Sequence, residues 1–137
     1  MTVVATIIWS IGVPLGILIP INFAKAADTD PPYITEVRYI NSTTVDVIFS
    51  EAMNVQNGAA TSTANYTLTT SYASDDSTIT NAVMTDYSST SSTIRLTAAN
   101  AIINPGADTI TVSTSLSGPT DTAGNVQSDG GSRMTML

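Results

Sequence analysis

The chain has 137 residues, which is enough for one domain with a single hydrophobic core. It contains no cysteine and no histidine, so disulfide bonds, thiol or imidazole nucleophiles and metal sites built on these residues are excluded. Four basic residues stand against eleven acidic ones, for a net charge of −7. Because such a surface repels phosphate backbones, we expect no nucleic-acid partner.

The first 26 residues differ in character from the rest of the chain. Residues 3–23 are apolar and uncharged, Ala24-Lys25-Ala26 follows, and the chain then becomes acidic and rich in proline. This order is typical of a secretory signal peptide, so we predict a signal peptide over 1–26 and a domain over 27–137 outside the cytoplasm. Two alternatives remain open, in which 3–23 is retained. It is then either a membrane anchor, being long enough to cross a bilayer as a helix, or a β-strand used in assembly.

Seven segments after residue 27 alternate between apolar and polar residues with a period of two, which predicts β-strands. They are Tyr33–Ile40, Thr43–Phe49, Tyr66–Thr69, Thr78–Met84, Ser92–Thr97, Asp108–Thr114 and Arg133–Met136. In the second segment, Val45, Val47 and Phe49 share one face. Thr44 and Asp46 lie on the other face, which we expect to be solvated.

Turn sequences separate these segments. They include Asn41-Ser42, Asn57-Gly58, Asn104-Pro105-Gly106 and the stretch 121–131. Short strands at this spacing predict an all-β fold, a two-sheet antiparallel sandwich with one sealed core.

Several short blocks of sequence resemble the bacterial Ig-like domain of S-layer and other surface proteins. They are Asp-Pro-Pro at 30–32, F-S-E-x-M at 49–53, A-N-Y-T-L at 64–68, D-T-I-T-V at 108–112 and D-T-A-G-N at 121–125. The resemblance extends from about Asp30 to the end of the chain. It implies an immunoglobulin-like sandwich with a structural or spacer role at the cell surface and no catalysis in the module itself.

The residues themselves give little reason to expect an enzyme. Without histidine, a serine nucleophile would need a lysine or carboxylate partner, and the single lysine, Lys25, lies in the predicted signal peptide. The Asp75-Asp76 pair lies in a predicted turn, where adjacent acidic side chains are usually solvated. We therefore expect no catalytic activity and no catalytic residue.

Calcium is the one metal that the composition permits, because it binds carboxylate and carbonyl oxygens. Loops at one end of a sandwich can converge, which would bring together Asp28 or Asp30, Glu51, Asp121 and Asn125. A competing explanation is purely structural: Asp121 accepts hydrogen bonds from backbone N–H groups in a tight turn, where Gly124 takes a positive φ. We expect no other cofactor.

The aromatic residues suggest a further kind of site. Tyr39, Tyr72 and Tyr87 could form an aromatic platform for carbohydrate, whereas Phe49, Tyr66 and one other tyrosine are expected in the core or at its margin.

Two asparagines, Asn41 and Asn65, match the N-glycosylation acceptor pattern. Asn41 lies in a predicted hairpin turn, where it would be accessible.

We therefore expect an extracellular or cell-surface structural or adhesive module whose partners are proteins or other copies of itself. Contact with a membrane is expected only if residues 3–23 are retained. One alternative is a filament subunit assembled by donor-strand complementation, in which the N-terminal strand of one subunit completes the sheet of the next. Another alternative is a module that binds calcium or carbohydrate.

Overall fold

A computed structural model of the protein describes residues 27–71, 78–100 and 103–128, together with the backbone of residues 132–133. The predicted signal peptide lies outside the described residues, as do Tyr72, the Asp75-Asp76 pair and residues 134–137. Within the described part of the chain, no helix is long and apolar enough to span a membrane.

The described residues form seven strands at positions close to those that the alternation of the sequence predicts. The strands are β1 (Ile34–Asn41), β2 (Thr44–Phe49), β3 (Tyr66–Thr69), β4 (Ile79–Tyr87), β5 (Ser92–Ala98), β6 (Thr109–Val112) and β7 (Ser132–Arg133). Two short 3-10 turns, Ala59–Thr61 and Thr63–Asn65, lead into β3.

The strands pair into two antiparallel sheets. Among the described residues, the order is β1-β2-β5-β4 in one sheet and β3-β6-β7 in the other. Lettered A to G along the chain, this is the ABED and CFG arrangement of constant-type immunoglobulin domains. The prediction of an all-β, immunoglobulin-like two-sheet sandwich is confirmed.

The core lies between the two sheets and is built by alternate residues of each strand. On the four-stranded sheet, Val45 pairs with Leu96 and Val47 with Ile94, and all four side chains are buried. The other sheet contributes buried apolar side chains from β3 and β6, namely Tyr66, Leu68, Ile110 and Val112. The Tyr66 hydroxyl donates to the carbonyl oxygen of Ala60 at 2.6 Å. The apolar faces predicted from the sequence are therefore the ones that pack together.

The outer face of β2 is less solvated than the alternation predicts. Thr44 is 9% exposed and Asp46 only 4%. Asp46 stands in register with Arg38 on β1 and Arg95 on β5, and Arg95 donates to both of its carboxylate oxygens at 2.8 Å. A central strand can be covered on its outer face by long side chains of its neighbours, and this is what happens here.

A second buried aspartate, Asp108, fixes the turn before β6. Its two carboxylate oxygens accept hydrogen bonds from the backbone N–H groups of Ser71 and Asn104, each at 2.7 Å. Gly106 takes a φ of +82° within the same turn. The sequence pattern places Asp108 at the start of a strand, but its role is to hold two loops against each other.

Candidate functional site

Three separate parts of the chain meet at one end of the sandwich. They are the segment 28–32 that precedes β1, the segment 50–56 that follows β2, and the loop 119–128. Backbone hydrogen bonds join them: Asn54 N–H donates to Thr120, Thr122 N–H donates to Ala52, and Ser128 N–H donates to Pro32. The convergence of loops that an oxygen-rich site requires is therefore present.

Asp121 organises the loop at this end. Its side chain is buried, and Oδ1 accepts hydrogen bonds from the backbone N–H groups of Ala123, Gly124 and Asn125 at 2.6 to 2.8 Å. Gly124 has a φ of +99°, a conformation that glycine adopts without strain. The structural role expected for Asp121 and Gly124 is therefore present.

Asn125 connects the loop to the chain that enters the domain. Its Nδ2 donates to Oδ2 of Asp121 at 2.8 Å and to the carbonyl oxygens of Asp28 and Asp30 at 3.1 and 3.2 Å. One amide group thus holds the segment before β1 against the loop before β7. This contact fixes the direction in which the chain enters the sandwich.

Three carboxylates meet beside this contact. One carboxylate oxygen from each of Asp28, Glu51 and Asp121 lies within 4.8 Å of the others. Asp30 contributes its carbonyl oxygen to Asn125, while the carboxylate in this group comes from Asp28. We call these three residues the acidic cluster.

The acidic cluster has a clear electrostatic consequence for Glu51. Burial raises the pKa of Glu51 above its ordinary value, and the negative charges of Asp121 and Asp28 raise it further. A hydrogen bond to Asp121 also favours the protonated form. Oxygen ligands at this spacing are chemically suited to a hard cation such as Ca²⁺.

Two of the three tyrosines of the predicted aromatic platform, Tyr39 and Tyr87, lie among the described residues. Tyr39 is partly buried and packs against the core, and Tyr72 lies outside the described residues. Phe49 and Tyr66 are buried, as expected. Tyr87 is 54% exposed at the end of β4. Of the three tyrosines, Tyr87 is therefore the one that the described structure presents to solvent.

Tyr87 borders a shallow cleft of about 180 Å³. We call it the Tyr87 cleft; its lining is Met53, Asn54, Val55, Gln56, Tyr87 and Thr122. Residues 54–56 are not among the site residues that the sequence predicts. The only feature of the sequence that could have indicated a site there is a pair of amide side chains, Asn54 and Gln56, on either side of Val55 and immediately after the F-S-E-x-M block.

The two candidate glycosylation sites differ in their surroundings. Asn41 is exposed at the end of β1, and its Oδ1 accepts hydrogen bonds from the N–H and hydroxyl of Thr43. Asn65 is partly buried, and its Nδ2 donates to the carbonyl oxygen of Ala59 at 2.8 Å. The nitrogen to which a glycan would be attached is therefore engaged in an internal hydrogen bond at Asn65.

Comparison with known proteins shows that this chain is similar in fold to part of a protein of known structure. No protein-family model matches the chain, and no curated protein matches it. Two crystal structures of the S-layer protein SbsC do. The first has a TM-score of 0.60 and 19% identity and covers 76% of this chain. The second, of the N-terminal part of this bacterial protein, has a TM-score of 0.54 and 20% identity and covers 77%.

The chain shares the fold of a segment of SbsC. The match extends over only 13% of the first SbsC chain and 23% of the second, so the chain is similar to one small part of a much larger protein. At 19–20% identity the likeness concerns the fold alone, and it agrees with the two-sheet strand order described above.

Proposed function

We propose that this protein is a structural module of an extracellular or cell-surface protein, of the kind that builds S-layers, and that it has no catalytic activity. The observation that carries this proposal is the sandwich of seven described strands and its likeness to a segment of an S-layer protein. The acidic, cysteine-free composition is compatible with a secreted module whose stability comes from its sealed core.

The contacts of Asn125 suggest how such a module would work. By holding Asp28 and Asp30 to the loop 119–128, Asn125 restrains the chain that enters the sandwich. If residues before Asp28 are retained, this restraint passes their orientation on to the domain, as an anchored or assembled module requires. If the chain begins at Ala27, the contact instead closes this end of the sandwich.

Self-association at the cell surface is the finer form of this proposal. Retained residues 3–23 of one subunit would supply a strand to an open sheet edge of the next, and head-to-tail contacts of this kind build open fibres or arrays. In this form residues 3–23 act as an assembly strand. If they are removed as a signal peptide, association instead uses the surface of the folded domain.

Surface exposure and assembly are testable on intact cells. Limited protease treatment of whole cells, followed by immunoblotting, should show that the protein in the envelope or medium is accessible to protease. Electron microscopy of the cell envelope should show an ordered layer or fibre if the protein self-associates. A protein protected from protease until the cells are lysed would contradict the proposal. A cytoplasmic marker protein inside the same cells, which should stay undigested until they are lysed, serves as the control for lysis.

A weak calcium site at the acidic cluster is a second candidate function, favoured by the approach of Asp28, Glu51 and Asp121. Since Asp121 already accepts backbone hydrogen bonds, we expect millimolar calcium to stabilise the fold by less than about 1 kcal/mol relative to chelator. Amide NMR shifts at the cluster should saturate with calcium and disappear in Glu51→Gln, while Asp30→Asn should retain them. No shift in the unaltered protein would contradict this candidate.

A further inference from the structure

The floor of the Tyr87 cleft is formed by Met53, which the folded protein holds in place without a ligand. Met53 is fully buried, and its N–H donates to the side-chain oxygen of Ser92 at 2.9 Å. Ser92 is the register partner of Tyr87 across β4 and β5. The strand pair that carries Tyr87 therefore also holds Met53 in place.

Hydrogen bonds also hold the backbone on the polar side of the cleft. Asn54 N–H donates to the carbonyl oxygen of Thr120 at 2.8 Å, and Oδ1 of Asn54 accepts the N–H of Gln56 at 2.9 Å. Thr122 N–H donates to Ala52 at 3.1 Å. Two backbone segments distant in sequence are thus tied together under the cleft, which lowers the entropic cost of binding a ligand there.

The lining combines an exposed aromatic ring with uncharged polar groups. Tyr87 is 54% exposed and lines the cleft with its aromatic side chain, and Asn54, Gln56 and Thr122 offer amide and hydroxyl groups. A ligand that matches must have an apolar face to stack on the ring and hydroxyl groups at its edge to exchange hydrogen bonds. A sugar ring has both.

Charge and size narrow the class of sugar. No charged residue lines the cleft among the described residues, and the chain carries a net charge of −7, which disfavours anionic glycans. The volume of about 180 Å³ is below the range of roughly 300–1,000 Å³ usual for drug-sized ligands. It is suited to a single ring, either free or at the end of a chain.

We propose that the Tyr87 cleft binds one ring of a neutral saccharide, with Tyr87 as the stacking platform and Asn54, Gln56 and Thr122 as hydrogen-bonding groups. This inference goes beyond the structural role proposed above and does not depend on it. Because the cleft is small and open, its dissociation constants should be about 1–10 mM for monosaccharides.

The test is a titration of the 15N-labelled protein with four neutral sugars, monitored by amide NMR shifts. The sugars are the methyl glycosides of glucose, galactose and mannose, and N-acetylglucosamine. At least one should give saturable shifts confined to the amides of residues 53–56, 87 and 122. No saturable shift with any of the four, or shifts centred elsewhere, would overturn the proposal.

Variants separate stacking from general effects on the fold. Tyr87→Ala and Gln56→Ala should each weaken binding about three- to ten-fold. Tyr33→Ala removes a similarly exposed tyrosine (52% exposed) that is outside the cleft, and it should leave binding unchanged. Equal weakening in all three variants would overturn the proposal. So would concentration-dependent shifts in the cleft without sugar, because they would mean that a second copy of the chain occupies it.

Discussion

At the scale of single residues, two aspartates and one asparagine decide the shape of the loops. Asp108 and Asp121 are buried acidic side chains whose oxygens accept backbone N–H groups, so their charge is balanced by hydrogen bonds rather than by basic side chains. Asn125 adds the contact to the N-terminal segment. The turn role of Asp121 is predictable from the sequence, because Asp before a Gly-Asn turn is a local pattern. The role of Asp108 is not, because its partner Ser71 is 37 residues away.

Replacing Asp121 tests this arrangement most directly. Asp121→Ala leaves three backbone N–H groups without their acceptor, so we expect a loss of about 2–4 kcal/mol in the free energy of unfolding, measured by urea denaturation. Asp30→Ala is the matched control, because Asp30 joins the network through its carbonyl oxygen, and it should cost less than about 0.5 kcal/mol. Equal losses in the two variants would contradict the role assigned to Asp121.

Glu51 gives a prediction with a defined dependence on pH. A pKa raised in the folded state means that the folded protein holds the Glu51 proton more tightly than the unfolded chain does. The stabilising contribution of this proton is complete below the ordinary pKa of 4.5 and is lost as the pH rises through the raised value.

In calcium-free buffer, Glu51→Gln should therefore be more stable than the unaltered protein at pH 7, by less than about 1 kcal/mol, because the repulsion with Asp28 and Asp121 is removed. The difference should disappear below pH 4.5, and thermal unfolding at a series of pH values measures it. A variant that is less stable than the unaltered protein at pH 7 would contradict this account.

The two acceptor asparagines should behave differently in a host that glycosylates secreted proteins. We expect a glycan on Asn41, which is exposed, and none on Asn65, whose amide nitrogen is bonded to Ala59. Intact-mass analysis of the secreted protein, with Asn41→Gln and Asn65→Gln as paired variants, should show that only Asn41→Gln removes the added mass. Loss of the glycan in Asn65→Gln instead would contradict the assignment.

At the scale of elements, the alternation of apolar and polar residues predicts the positions of the strands and their inner faces. The predicted Tyr66–Thr69 strand coincides with β3, and the inner faces of β2, β5 and β6 are the predicted ones. The ends of the strands are less predictable from the sequence, because each end depends on hydrogen bonds to a neighbouring segment. β4 continues to Tyr87 rather than Met84, since it pairs with β5 as far as Ser92. β6 ends at Val112 rather than Thr114, since Ser113 N–H then donates to Asn65.

The sidedness of the four-stranded sheet can be tested with one substitution on each face. Leu96 on β5 is 1% exposed and Val83 on β4 is 45% exposed. Leu96→Ala should lower the free energy of unfolding by about 2–5 kcal/mol, because it leaves a cavity in the core, and Val83→Ala by less than about 1 kcal/mol. Comparable losses measured by urea denaturation would mean that the inner and outer faces are wrongly assigned.

At the scale of the whole molecule, the sequence led to the acidic cluster but not to the Tyr87 cleft. Glu51 and Asp121 lie in two of the blocks that resemble the family, and Asp28 lies just before the Asp-Pro-Pro block, so a sandwich fold predicts that these loops converge at one end. The cleft depends on the edge position of Tyr87 and on the hydrogen bond between Met53 and Ser92. The hydrogen bond between Met53 and Ser92 joins residues 39 positions apart, so the local sequence does not predict it.

The central claim is that this sandwich functions outside the cytoplasm as a structural module. The most direct test is the intact mass and N-terminal sequence of the protein isolated from the envelope and medium of its native cells. We predict a protein in those fractions that begins at or near Ala27, as signal-peptide removal requires. A protein in the envelope that keeps residues 3–23 would instead support the anchor or assembly strand. A protein recovered only from the cytoplasm, with an intact N-terminus, would contradict the account.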